Sequence, residues 1–320
     1  MASSGPEEFV LTRNVMFNAE MIWALGVLVG SVSWWRAGRI RGQDNTEYLK
    51  LLKEFDRMFS RAVDRSSPVR DVSVEPEACG LYQVWGEEDA DMSKWPRRPH
   101  LAFWVRGKGF NDPHVSFWQE LPEGLDLEGD LKSCLEKIPQ TRYFWNWLGL
   151  YPKLAERKNL AVSVRLTDEM VKAVRLIEGY ALRQVIGRGV PDAGASRQIG
   201  FLLDQFKANL RRAVQNAAPV VRCKLCNPEV PGRYLVWRKS RSSRFIAEWR
   251  NPDGWTSKCV FWMQLQGFPI QRENLARYVA ACPLVDFRSE IETVCPDVTE
   301  PQAVDETEFD VSEFERYECY

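Results

Sequence analysis

The first apolar segment of the chain runs without a charged residue from Met21 to Trp35. A bilayer span needs about 20 apolar residues, so a run of this length favours a buried helix. Two features are also typical of a membrane span. Trp34 and Trp35 lie at one end, followed directly by three arginines between 36 and 41, and Gly26 and Gly30 form a Gly-x-x-x-Gly pair. Membrane association through 21–35 is therefore the alternative, and the mostly polar residues 1–15 are expected to be loose.

Further along the chain, apolar residues recur every three or four positions, as in amphipathic helices. Thr167 can cap one of these helices, because its side chain can accept from the first turn. The predicted helices cover 44–66, 129–138, 167–186, about twenty residues ending near Ala217, and 271–281.

Short runs rich in aromatic and β-branched residues, separated by Gly, Pro, Asp and Asn, predict antiparallel strands. Asn251-Pro-Asp-Gly254 is a turn signal between two of them. The predicted strands cover 81–85, 101–105, 115–118, 161–166, 233–238, 244–250 and 258–265. We see no internal repeat. The expected class is α+β, with antiparallel aromatic-rich strands and amphipathic helices.

Composition divides the chain. We predict an N-terminal segment at 1–43, an α+β body at 44–218, a Cys- and Trp-rich β module at 219–285 and an acidic tail at 286–320. From Lys207 to Arg250 there are eleven Lys and Arg against two acids, whereas from Asp286 onward there are twelve acids against two Arg. We expect a disordered tail whose aromatic side chains bind a partner. Those side chains are Phe309, Phe314 and Tyr317.

The eight cysteines are too sparse in 320 residues for a disulfide scaffold, and no Asn-x-Ser/Thr sequon occurs. Both observations favour a reduced compartment, the cytoplasm or the nucleus, with membrane association as the alternative. Cys223 and Cys226 have metal-ligand spacing, and Cys259 and Cys282 are the natural second pair for tetrahedral zinc. Ordinary buried thiols are the other interpretation, so no cofactor beyond this candidate zinc is predicted.

A basic, aromatic segment follows the first cysteine pair. Cations next to stackable rings are typical of contacts with a nucleic-acid backbone, although a charged hairpin loop over core tryptophans has the same pattern. The candidate residues for nucleic-acid or partner binding are Trp237, Arg238, Lys239, Arg241, Arg244, Trp249 and Arg250.

We predict that the protein is not an enzyme. His100 and His114 are the only histidines, so a Ser or Cys nucleophile has little choice of base. The sequence 100–103 only superficially matches a phosphoesterase His-x-Ser/Thr motif, because Ala102 lacks the hydroxyl. No phosphate-binding loop is present.

The module from Cys223 to Cys282 resembles the central region of foamy-virus transactivators. It has Cys-x-x-Cys, a Trp-bearing strand pair, Val260-Phe261 and a later Cys282-Pro-Leu; Cys79-Gly-Leu-Tyr82 and the acidic tail add to the likeness. Its tryptophan content is also similar to that of the related accessory proteins. The resemblance implies a viral, non-enzymatic regulator that binds a host protein.

The predicted function is therefore that of a regulatory interaction protein whose partner is a host or cellular protein. Two alternatives follow from the basic segment and the apolar run. They are a nucleic-acid-binding transcriptional regulator with an acidic activation tail, and a membrane-anchored protein with a cytosolic domain.

Overall fold

A computed structural model describes most of the chain. It covers residues 12–36, 45–86, 99–122, 129–138, 161–188, 193–238, 244–266 and 275–294. These residues form seven helices and twelve strands in two antiparallel sheets, so the predicted α+β class is confirmed.

The elements alternate between groups of helices and groups of strands. The strands are β1 (Thr12–Phe17), β2 (Arg70–Asp71), β3 (Gly80–Trp85), β4 (His100–Val105), β5 (Gly109–Phe110), β6 (Phe117–Gln119), β7 (Ala161–Thr167), β8 (Ala218–Arg222), β9 (Gly232–Trp237), β10 (Arg244–Arg250), β11 (Gly254–Trp255) and β12 (Phe261–Met263). The helices are α1 (Ala19–Arg36), α2 (Asn45–Asp64), α3 (Leu131–Lys137), α4 (Asp168–Val185), α5 (Ala193–Gln215), α6 (Leu275–Ala281) and α7 (Phe287–Val294).

The chain is an internal duplication, so the expectation of no internal repeat is wrong. The order β1, α1, α2, β2 to β6, α3 recurs as β7, α4, α5, β8 to β12, α6. We call residues 12–138 the first repeat and 161–282 the second repeat. The separation between equivalent residues is not constant. It is 149 positions from Ala19 to Asp168 but 144 from Leu131 to Leu275, which hides the period in the sequence.

Equivalent residues also make equivalent local contacts. Asn18 caps α1 by accepting from the Met21 N–H at 2.8 Å, and Thr167 caps α4 by accepting from the Met170 N–H at 3.2 Å. Side-chain capping satisfies one of the N–H groups that the first turn of a helix leaves without a partner. The predicted cap at Thr167 is therefore confirmed, and its counterpart in the first repeat is an asparagine.

The two repeats meet along β1 and β7, which pair in antiparallel register from Thr12 opposite Thr167 to Phe17 opposite Val162. Val15 and Val164 are directly opposite each other, and each lies four residues before the first helix of its repeat. Equivalent residues that pair with each other mark a local pseudo-twofold axis between the repeats.

Strand order follows the same symmetry. Beyond β7 the larger sheet continues β8-β12-β9-β10-β11, and the smaller sheet runs β2-β6-β3-β4-β5. In the second repeat Val162 pairs with Pro219, which joins β7 to β8. In the first repeat the equivalent contact is a single isolated bridge between Arg13 and Pro68. Because one bridge does not form a strand pair, β1 and β2 belong to different sheets.

Helix α1 lies in the main core, where it packs against α4. Its apolar residues are buried on several sides of the helix, which explains why the run 21–35 has no polar face. Examples are Met21, Ala24, Val27 and Val29, which point in different directions around the helix axis. Within the described ranges, no helix is long and apolar enough to cross a membrane.

Several predicted boundaries change. Residues 12–15, expected to be loose, belong to strand β1, which pairs with β7. The predicted domain limits at 43/44 and 218/219 fall inside the repeats, because α1 and α2 share one core and β8 runs across the second limit. The predicted tail begins too early, since Phe287 and Ile291 of α7 are buried. The remainder of the tail, 295–320, lies outside the described residues.

Candidate interaction site

The outer face of each repeat carries a cluster of aromatic rings on one side of its strand meander. In the second repeat the rings of Trp249 and Trp255 are 5.4 Å apart, and Trp255 and Trp262 are 6.3 Å apart. Tyr234 lies among them, 5.2 Å from Trp262 and nearly perpendicular to it at 79°. We call the surface formed by Trp249, Trp255 and Trp262 the tryptophan face.

The first repeat builds the same cluster from equivalent positions. Tyr82 lies 5.2 Å from Trp118 at 81°, and Trp104 lies 5.0 Å from Phe110. Strand register fixes the equivalence, because Trp104 pairs with Phe110 as Trp249 pairs with Trp255. Edge-to-face and tilted ring pairs each contribute on the order of 1 kcal/mol beyond burial.

The hydrogen bonds that the tyrosine hydroxyl and one indole N–H donate are also duplicated. Tyr82 donates its hydroxyl to the Ala78 carbonyl at 2.6 Å, and Tyr234 donates to the Val230 carbonyl at the same distance. The indole N–H of Trp118 donates to the Val74 carbonyl at 2.7 Å. The equivalent bond runs from Trp262 to the Cys226 carbonyl at 2.9 Å. The loop before the first meander strand is thus held to the rings in both repeats.

The clusters differ in exposure. Trp104 and Trp118 are buried, with 5% and 2% of their surface exposed, whereas the equivalent Trp249 and Trp262 are half-buried. Exposed apolar side chains lie beside both clusters: Val72 by 40% and Val74 by 46% in the first repeat, Leu225 by 55% and Val230 by 64% in the second. The difference between the repeats is therefore in the tryptophans, at which the module is closed in the first repeat and open in the second.

Substitutions between the repeats explain the opening. Arg70 pairs with Trp118 across the strands and places its guanidinium 5.4 Å from the indole ring. The residue opposite Trp262 is Val221, which is too short to cover an indole in this way.

The turn between β4 and β5 also has a bracing arginine that the second repeat lacks. Arg106 ties this turn to the loop before β3 by donating to the Glu77 carbonyl at 2.8 Å. The equivalent residue of the second repeat is Asn251, which has a shorter side chain. Both arginines that brace the first cluster are therefore absent from the second.

The module that carries the open face has exposed positive charge. Arg238 is exposed, and its guanidinium lies 5.0 Å from the ring of Phe245 on the same side of the meander. Lys224 and Lys258 are also exposed. From 218 to 263 the sequence has nine Lys and Arg against three acids. The equivalent stretch 67–119 has six against eight, so the two stretches have opposite net charge.

The residues predicted to bind nucleic acid or a partner do not all lie on this face. Trp237 is 0% exposed and packs in a core between the repeats, so it cannot contact a partner directly. Trp249 lies on the tryptophan face. Arg250 points to the other side of β10, where it donates to Glu248 at 2.8 Å.

The remaining predicted residues are spread more widely. Arg238 is beside the face, and Arg244 is partly buried at the start of β10. Lys239 and Arg241 lie outside the described residues, as do Phe309, Phe314 and Tyr317 of the tail. The sequence prediction missed Trp255 and Trp262. A comparison of Gly80-Leu-Tyr-Gln-Val-Trp85 with Gly232-Arg-Tyr-Leu-Val-Trp237 could have found them.

The four predicted zinc ligands are not brought together. The sulfurs of Cys223 and Cys259 are 3.0 Å apart, whereas Cys226 directs its sulfur to the Asn227 carbonyl. Cys282 packs in the main core, which is a different cluster from that of Cys259. Among the residues that the structure describes, no three His, Cys, Asp or Glu side chains are grouped to hold a metal ion.

The first repeat indicates what the two close cysteines do. Val72 and Cys223 occupy equivalent positions. The N–H of Val72 donates to the carbonyl of the residue after Val115, and the N–H of Cys223 donates to the carbonyl of the residue after Cys259. Val72 and Val115 thus stand where the second repeat has Cys223 and Cys259. Burial, together with the neighbouring thiol of Cys259, raises the pKa of Cys223. A raised pKa favours the protonated thiol over the thiolate, and the first repeat has apolar side chains at both positions.

The histidines lie on the first repeat. His100 Nε2 is 2.7 Å from Asp112 Oδ2, and the backbone N–H of His114 donates to the other oxygen of Asp112 at 2.9 Å. This bond from His114 is the main cause that lowers the pKa of Asp112. The carboxylate of Asp112 therefore organises this turn by binding both histidines.

Comparisons with known proteins add no identity. No family model, curated protein or solved structure matches the chain. The resemblance to foamy-virus proteins therefore stays a prediction, and any functional assignment depends on the geometry of the two aromatic clusters.

Proposed function

We propose that this chain is a non-enzymatic interaction protein that binds a partner protein through the tryptophan face. The observation that carries the proposal is the difference in burial between equivalent tryptophans, Trp104 and Trp249 above all. Because the two modules share their framework, indoles that are buried in one module and partly exposed in the other call for a functional reason.

The chemistry of the face suits protein binding. Tryptophan is enriched among the residues that carry most of the binding energy at interfaces, because it buries a large rigid surface and keeps a polar N–H. Exposed apolar side chains such as Leu225 extend the surface, and Arg238 supplies charge at the rim. A partner segment with apolar side chains and acidic groups fits these features best.

A matched pair of substitutions tests the proposal. Trp255 and Phe110 are equivalent and both half-buried, so Trp255→Ala and Phe110→Ala remove similar packing from the two repeats. Quantitative affinity purification from cells should recover at least one protein whose capture falls tenfold or more with Trp255→Ala and remains with Phe110→Ala. If every captured protein responded equally to both variants, the proposal would be refuted.

A second candidate function is binding of single-stranded nucleic acid on the same module. The observation in its favour is the excess of positive charge at 218–263 next to rings on which bases can stack. Binding should weaken steeply with salt, and Arg238→Glu should reduce the slope of the logarithm of affinity against the logarithm of salt concentration. Fluorescence anisotropy with a labelled oligonucleotide measures both. Binding that is absent at low salt would remove this candidate.

A further inference from the structure

We propose that the chain's own acidic C-terminal segment, 295–320, occupies the tryptophan face in the free protein. The proposal rests on the proposed function in that both use the same surface. It adds that a partner must compete with an intramolecular occupant.

Charge complementarity is the first argument. Residues 295–320 contain nine Asp and Glu and a single basic residue, Arg316. The module that carries the tryptophan face has a net positive charge, and its exposed cations include Arg238, Lys224 and Lys258. The equivalent module of the first repeat has more acids than bases, so it would repel the same segment.

The side-chain pattern of the segment is the second argument. Aromatic residues are interspersed among its acids at Phe309, Phe314, Tyr317 and Tyr320. Aromatic rings can pack against the half-buried indoles while neighbouring carboxylates meet the cations at the rim. The segment therefore has the two properties that we expect of a ligand for this face.

Reach is the third argument. Helix α7 fixes the start of the segment, because Phe287 and Ile291 are buried and Arg183 forms an ion pair with Glu290 at 2.7 Å. Twenty-six residues extend to roughly 85 Å at about 3.3 Å per residue. A body of about 280 residues has a radius of gyration near 19 Å on the usual scaling, so the segment can reach any face of it. Tethering also raises its local concentration, on the order of millimolar for a short flexible linker.

The full-length chain tests the proposal without truncation. We would label the protein with 5-fluorotryptophan, assign the resonances by single Trp→Phe substitutions, and add a soluble paramagnetic relaxation agent. The tail variant carries Phe309→Ser, Phe314→Ser and Tyr317→Ser together. We expect relaxation at Trp249 and Trp262 to increase at least twofold in the tail variant. Trp104 and Trp118 are the internal controls and should not change.

A peptide covering 297–320 provides the second measurement. Added to the tail variant, it should restore the protection of Trp249 and Trp262. It should bind the unmodified full chain at least tenfold more weakly, because the face is already occupied there. Arg238→Glu in the tail variant should weaken peptide binding at least fivefold, whereas Phe110→Ala in the first repeat should not.

Several results would overturn the proposal. They are equal relaxation in the full chain and the tail variant, equal peptide affinity for both, or changes of the same size at Trp104 and Trp118. Protection that appears only as protein concentration rises would assign the face to a second copy and would also refute it. None of these results affects the capture experiment with Trp255→Ala, so failure here is distinguishable from failure of the proposed function.

Discussion

Val15 and Val164 face each other across β1 and β7, at equivalent positions of two repeats, and both are fully buried. The strand pair and the helices behind it belong to one core, in which α1 packs against α4. The repeats therefore share the structure that stabilises them, and we expect them to unfold as one unit.

The shared junction can be tested by a double-mutant cycle. Val15→Thr and Val164→Thr each introduce a hydroxyl into the core, and each should lower the free energy of unfolding by about 1–3 kcal/mol. Because the two side chains are direct neighbours, the effects should be coupled by about 0.5 kcal/mol or more. Urea denaturation measures the cycle. Purely additive effects would contradict the direct pairing of these residues.

The duplicated tyrosine hydrogen bonds give a matched prediction. Tyr82→Phe and Tyr234→Phe each remove one hydroxyl that donates to a backbone carbonyl at 2.6 Å. We expect each to cost about 1 kcal/mol, since this is the usual net value of one such bond. The two tyrosines lie in separate clusters, so the double variant should show the sum of both effects within about 0.5 kcal/mol. Markedly unequal costs would argue against structural equivalence of the clusters.

The cysteine pair gives a prediction about metal. If Cys223 and Cys259 serve packing, replacing both with Val reproduces the first repeat, which has Val72 and Val115 at these positions. The double variant should keep the fold at a cost of about 1–3 kcal/mol, because valine is somewhat larger than cysteine and adds volume to a packed site. Its zinc content, measured by atomic spectroscopy, should equal that of the parent protein. Loss of one zinc per chain together with the fold would instead support the ligand set predicted from the sequence.

A buried acid predicts how stability depends on pH. Glu178 on α4 is fully buried, and burial raises its pKa from 4.5 to about 8, although the adjacent Arg175 opposes this shift. Between these two pKa values the unfolded chain loses a proton that the folded protein retains. As the pH rises from 4.5 to about 8, the contribution of this group alone should therefore lower the free energy of unfolding by about 1.4 kcal/mol per pH unit.

Glu178→Gln is the variant that isolates this contribution, because glutamine cannot ionise and keeps nearly the same shape. Its stability advantage over the parent should grow from pH 5 to pH 8 and level off above pH 8. The equivalent residue of the first repeat is Val29, which shows that this position does not need a charge. A difference between variant and parent that did not change with pH would contradict the raised pKa.

Much of the secondary structure could be predicted from local patterns. The apolar period of 44–66 predicted α2 closely, and the Asn251–Gly254 turn correctly separated β10 from the next strand. These features depend on neighbouring residues, so the sequence contains the necessary information. The strand β1 was missed because its three polar residues, Thr12 to Asn14, come before its three apolar ones and do not alternate with them, and its partner β7 lies about 150 residues away.

The site was harder to predict because it depends on a comparison within the chain. Trp237 and Trp249 look alike in sequence, but strand alternation puts Trp237 in the core between the repeats and Trp249 on the outer face. The exposure of Trp262 depends on Val221 across the strand, where the first repeat has Arg70. Such cross-strand cover becomes visible only when register is known.

Hydrogen exchange on the full-length chain, alone and with a captured partner protein, tests the central claim most directly. If the second repeat provides the binding surface, amides of β10 and β12 should become more protected in the complex, together with the loop 223–231. The equivalent amides of β4 and β6 in the first repeat should exchange at unchanged rates. Protection confined to the first repeat, or divided equally between the two repeats, would contradict the account.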